Sequence, residues 1–66
     1  SKAKKFISKN FTPGEEEDHI THEYSLNNID KEIVDYIKDK KRLDVTVNGQ
    51  GAAMTIKNNK VIVEFF

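Results

Sequence analysis

Between Asn28 and Phe66 the spacing of apolar positions changes once, from helical to alternating. Ile29, Ile33, Tyr36 and Ile37 fall within one arc of about 100° at helical spacing, flanked by Val34. Asp30, Lys31, Glu32, Asp35, Lys38 and Asp39 mostly point elsewhere. The spacing predicts a helix from Asn28 to about Lys41. Asn27 or Asn28 is the expected N-cap, and Asn27 with Asp30 loosely imitates a capping box. Asp30 and Glu32 suit the positive start of the helix; Lys38, Lys40, Lys41 and Arg42 suit its negative end.

The period then becomes two. Leu43, Val45 and Val47 alternate with Asp44, Thr46 and Asn48. Asn48-Gly49-Gln50-Gly51 reads as a turn, because Asn and Gly tolerate positive φ. Ala52, Met54 and Ile56 continue the apolar face, Asn58-Asn59 makes a tight turn, and Val61, Val63 and Phe65 follow. A two-residue turn at Asn58-Asn59 pairs Ile56 with Val61, Met54 with Val63 and Ala52 with Phe65. A first turn at Gly49-Gln50 pairs Val47 with Ala52; moving it to Asn48-Gly49 keeps the same face and shifts the partners by two. The other face carries Asp44, Thr46, Ala53, Thr55 and Glu64, but also Ile62 and Phe66. Two large apolar groups on a wet face imply chance exposure, cover by the N-terminal segment, or an interface with another subunit or partner.

Upstream, His19 to Leu26 reads as a strand with Ile20, His22, Tyr24 and Leu26 on one face. A strand–helix–strand connection in one sheet is normally a right-handed parallel crossover, so a mixed sheet is expected. Residues 1–12 show neither period cleanly and read as a basic, aromatic arm or edge strand. Thr12-Pro13-Gly14 is a turn that separates this segment from the body. The expected organisation is an N-terminal arm or edge strand over residues 1–14 and a single α+β domain over residues 15–66. That domain has two layers, one helix on a small mixed or antiparallel sheet, in the order β-α-β-β-β.

Size and charge narrow the function classes. The chain has 66 residues and zero formal net charge. A chain this short folds with a small surplus of burial over ordering entropy, and with no cysteine it has no disulfide to help. Oligomerisation is the common remaining aid. No apolar run has the length of a membrane span and no signal-peptide core is visible, so a cytoplasmic protein is expected.

Chemistry-bearing motifs are sparse. His19 and His22 point to opposite faces of a strand, so they do not form a joint metal site. Glu15-Glu16-Glu17-Asp18 lacks the ligand spacing of a calcium loop. Gly49-x-Gly51 is too short, and sits between the wrong elements, for a phosphate loop. No nucleophile lies beside an oriented histidine, and no carboxylate pair has apolar neighbours to raise its pKa. The expectation is no enzyme activity, no metal and no cofactor.

Two functional readings remain. In the first, the chain is a small binding or regulatory module that works as a dimer or higher homo-oligomer through Phe6, Phe11, Ile62 and Phe66. In the alternative it binds nucleic acid through Lys4, Lys5 and Lys9 of the N-terminal segment with Lys40, Lys41 and Arg42 at the helix end. Against this, Asp35, Asp39 and Asp44 dilute the basic patch, and Arg42 is the single arginine available for base reading. The layout, size and lysine–asparagine bias resemble small proteins of Gram-positive phages and prophages. That resemblance implies a non-enzymatic protein that binds a host or phage component.

Overall fold

In the computed structural model, which describes residues 1–66, the alternating stretch folds into two tight hairpins. The elements run α1 (Lys2–Asn10), β1 (Thr21–Ser25), a 3₁₀ turn at Leu26–Asn28, α2 (Lys31–Lys40), β2 (Leu43–Val47), β3 (Gln50–Lys57) and β4 (Lys60–Phe65). Both hairpin turns have two residues at positive φ, the geometry that matches strand twist: Asn48 (51°) and Gly49 (78°), then Asn58 (52°) and Asn59 (61°). The second turn gives the expected register, with Ile56 opposite Val61, Met54 opposite Val63 and Ala52 opposite Phe65. Of the two placements for the first turn, Asn48-Gly49 is the one adopted, so Val47 faces Gln50 and Leu43 faces Met54. Glycine at the second turn position makes that placement cheaper than one with Gln50 at positive φ.

The four strands are ordered β1-β4-β3-β2 and every pairing is antiparallel. The expected parallel crossover does not form. β1 pairs instead with β4, setting Tyr24 opposite Val61 and His22 opposite Val63, so β1 and β2 take opposite edges and run in opposite directions.

Residues 2–10 are a helix rather than an arm or edge strand. Ser1 caps it by accepting from the Lys4 N–H at 3.2 Å, and Phe11 closes it by donating to the Ile7 carbonyl at 3.0 Å. Ala3 and Ile7 are buried and Phe6 half-buried, a helical spacing that gives the short segment one apolar face. Residues Ser1 to Lys4 lie beside β2, while Phe6 and Phe11 lie against Tyr24 and His22 of β1. The helix therefore runs across the sheet. Its length of about 14 Å matches three strand spacings of about 4.8 Å.

α2 starts three residues later than the sequence suggests. Asn27 and Asn28 are spent in the 3₁₀ turn, and the Asp30 carboxylate becomes the cap, accepting from the Glu32 N–H at 2.8 Å. The helix ends where Lys41 turns left-handed (φ 76°) and donates to the Ile37 carbonyl at 2.7 Å. Ile29, Ile33, Val34 and Ile37 enter the core; Tyr36, expected among them, is 49% exposed. Ile20, expected on the inner face of a longer strand, is also exposed, because β1 begins only at Thr21. The inner face gathers Val45, Ala52, Met54, Val61, Val63 and Phe65 under both helices.

Ile7 is fully withdrawn from water in this core. Ile7→Ala is expected to lower the unfolding free energy by about 2–4 kcal/mol, read by urea denaturation. A loss under about 0.5 kcal/mol would mean that residues 2–10 are dispensable to the domain.

Candidate functional site

Both helices lie on the inner face, which leaves the outer face of the sheet open. Cross-strand registers place Thr21 and Glu23, Ile62 and Glu64, Ala53 and Thr55, and Asp44 and Thr46 there. Phe66 follows β4 and extends its ladder by one bond, its N–H donating to the Gly51 carbonyl at 2.9 Å. Its ring is 44% exposed. The His19 ring meets it edge-on at 5.5 Å, and the Arg42 guanidinium carbon lies 5.6 Å from its centroid. Both neighbours of the ring are tied to acids on the same face. His19 Nδ1 is 3.1 Å from a Glu64 carboxylate oxygen, and Arg42 Nε donates to Asp44 at 2.9 Å. Ala53, set between Asp44 and Glu64, is buried although no helix covers it. Ile62 is half-buried. The outer face thus carries an exposed aromatic beside an arginine, a half-buried isoleucine four residues back along the same strand, and a rim of charges.

Phe6 and Phe11 are not part of it. Phe6 meets Tyr24 edge-on at 5.1 Å, and Phe11 packs on Phe65 at 5.0 Å and His22 at 4.8 Å. The sheet thus separates Phe6 and Phe11 from Ile62 and Phe66. His22 sits in this inner aromatic cluster and His19 on the outer side, so the two imidazoles point apart.

The six basic residues are also divided. Lys5 and Lys9 border a shallow depression with Lys2 and Asp30, at the N-terminal end of α2. Lys40, Lys41 and Arg42 lie at its other end, about 15 Å away along ten helical residues. Lys40 pairs with Asp39 and Arg42 with Asp44, while Lys4, Lys5, Lys9 and Lys41 make no ion pair. The intervening helix carries Asp30, Glu32 and Asp35, and Lys2 bridges Asp30 and Glu32 at 3.3 and 3.4 Å.

One structural residue escaped the sequence reading. Gln50 is the only buried polar side chain, and its amide holds the loop before β1. Its Oε1 accepts from the N–H groups of Gly14 (2.7 Å) and Glu16 (3.2 Å), and its Nε2 donates to the Glu16 carbonyl at 2.8 Å. The Glu16 carboxylate in turn accepts from the Thr12 N–H at 2.7 Å, so one member of the acidic run is a loop brace. Gly14 is required here: its φ is +100°, and a Cβ would sit 3.3 Å from the Asn48 carbonyl oxygen. The signal was present in the alternation. Once the turn is placed at Asn48-Gly49, Gln50 joins the inner row of Ala52 and Met54 and must find partners.

Four groups have displaced pKa values. The Glu32 N–H and then Lys2 hold the Asp30 carboxyl below its ordinary 3.8. Hydrogen bonds to Asp30 and Glu32 raise Lys2, and one to Asp35 raises Lys31, above 10.5. Burial, then the nearby Glu16 charge, raises the Tyr24 hydroxyl above 10.0.

No helix is long and apolar enough to cross a membrane. Comparison with known proteins finds no family model, no curated protein and no solved structure that matches the chain.

Two outcomes are expected. Gln50→Leu strands the two N–H groups and the carbonyl it serves; it is expected to cost about 1–3 kcal/mol and to speed amide exchange at Gly14 and Glu16. In a pH series, the Asp30 contribution is present above 3.8 and is lost as pH falls through the lowered value. The contributions of Lys2, Lys31 and Tyr24 are full below their ordinary values of 10.5, 10.5 and 10.0 and are lost as pH rises through the raised ones. The thermal midpoint is therefore expected to fall at both extremes. Asp30→Asn should make the acid limb shallower than in the wild type; an unchanged acid limb would show that the cap carries no such linkage.

Proposed function

We propose that this protein is a small non-enzymatic binding module that acts as a homo-oligomer and meets a protein partner through the outer face of its sheet. The observation that carries this reading is the exposed Phe66 ring, set between His19 and Arg42 on a face that neither helix covers. Ile62 adds the second apolar anchor, and Glu23, Asp44 and Glu64 supply a polar rim. Phe6 and Phe11 belong to the inner aromatic cluster and contribute only by holding α1 on the sheet. A host or phage protein in the cytoplasm is the partner that the resemblance to small phage proteins implies.

Nucleic-acid binding is the second reading. It rests on Lys4, Lys5 and Lys9, which share one helix and have no paired acid. The distance to Lys41 and the pairing of Lys40 and Arg42 with acids weaken it, because a continuous basic track is what draws a phosphate backbone.

One pull-down from source-cell lysate, with and without nuclease, separates the readings. The wild-type chain is expected to retain a partner after nuclease treatment, and Ile62→Lys/Phe66→Lys is expected to lose it while keeping its melting temperature within a few degrees. Retention by the folded double variant overturns the outer-face reading. A partner that vanishes with nuclease, and whose capture weakens steeply with salt, establishes the alternative.

A further inference from the structure

β2 is a free edge of the sheet, paired only with β3. Its two-residue turn closes on Val47 and Gln50, which exchange both backbone bonds. Leu43, Val45 and Val47 therefore bond inward to β3, and the N–H and C=O groups of Asp44 and Thr46 point out from the edge. Gly51 confirms the phase: opposite Thr46, it turns its carbonyl the other way, to the Phe66 N–H. The strand has no proline, lysine or glycine between Leu43 and Val47, and the one charge, Asp44, is held by Arg42. Such an edge is an unblunted pairing template. Beside it runs an open groove of about 670 Å³, lined by Ala3, Ile33, the exposed Tyr36, and Leu43 to Thr46.

We infer that the occupant of this edge is a second copy of the chain, joined by antiparallel β2–β2 pairing about Val45 into one eight-stranded sheet. The strand is complementary to itself in that register. Val45 meets Val45, Leu43 meets Val47 and Asp44 meets Thr46 of the second copy, so no like charges face each other. The outward groups of Asp44 and Thr46 bond reciprocally across the two-fold axis. The half-buried Leu43, which lines the groove, meets the half-buried Val47 of the second copy across the seam, and both lose exposure there. The opposite edge does not offer the same match: β1 paired with itself about its centre sets Glu23 against Glu23, which is repulsive.

This inference rests on the homo-oligomer reading and names its surface. It is tested by sedimentation velocity across the micromolar range, with amide exchange as an independent readout. The wild type is expected to show a monomer–dimer equilibrium, with the Asp44 and Thr46 amides protected in the dimer and exposed on dilution. Thr46→Asp faces Asp44 of the other copy twice, and is expected to weaken the dimer at least about tenfold while the monomer stays folded, its melting temperature lowered by only a few degrees. Asp44→Lys/Thr46→Asp sets opposite charges in the same places and is expected to restore the dimer. A dimer indifferent to Thr46→Asp, or one whose Asp44 and Thr46 amides exchange freely, overturns the edge assignment and leaves self-association standing through another surface. A strict monomer overturns both. Assemblies that grow without limit overturn the two-fold pairing in favour of head-to-tail contact between β1 and β2.

Discussion

The inner row of β4 is the constraint to which every other element is fitted. Val61, Val63 and Phe65 are fully withdrawn from water, and they occupy a central strand with neighbours on both sides. β3 meets the row with Ile56, Met54 and Ala52, β1 meets it with Tyr24 and His22, and the helices close over it with Ile7, Ile33 and Ile37. Burying a side chain of this size contributes about 1.5–3 kcal/mol. A chain of 66 residues with no disulfide has few other favourable terms of that magnitude. The surface ion pairs do not compete: Lys31–Asp35 at 2.8 Å is among the shortest, yet both partners are more than half exposed and water screens them.

The parts of the fold legible in the sequence were those whose signal is local. The Asn58-Asn59 turn, the face shared by its strands and the apolar arc of α2 all follow from spacing within about a dozen residues. The parts that were not legible depended on distant partners. α1 has only nine residues, too few for helical periodicity to stand out, and is held by packing on β1 and β2 rather than by propensity. The parallel crossover expected for β1 does not form because β1 finds its partner in β4, some forty residues away, a pairing that leaves no local signal. Of the candidate surface residues, the pattern did show that Ile62 and Phe66 lie outside the core layer. It did not show that Phe6 and Phe11 lie inside it, because that depends on α1 crossing the sheet.

Gln50 shows how one polar group links the two halves of the chain. Its amide spends one acceptor and one donor on a loop thirty-four residues upstream, and in doing so fixes where that loop ends and β1 begins. The path from there places His19, at φ 66°, with its N–H donating to the Phe65 carbonyl at 2.7 Å. This bond sets the His19 ring against Phe66. The loop that Gln50 braces on the inner side thus also carries His19 to the outer side.

A sheet covered on one side only leaves three unsatisfied features: an open face and two edges. The two edges of this sheet are unequal in chemistry. β1 presents Glu23 at its centre, and that charge blocks both self-pairing and stacking of further strands. β2 presents a short apolar alternation with one neutralised acid. In the proposed pairing, joining two chains through β2 would consume the permissive edges and leave the guarded β1 edges at both ends, so growth would stop at two copies. The same arrangement keeps both outer faces on one side of a continuous sheet, with two Phe66 patches related by the two-fold axis. A partner that recognised one patch weakly would meet two at a fixed spacing, and its affinity would rise through effective concentration without any new contact.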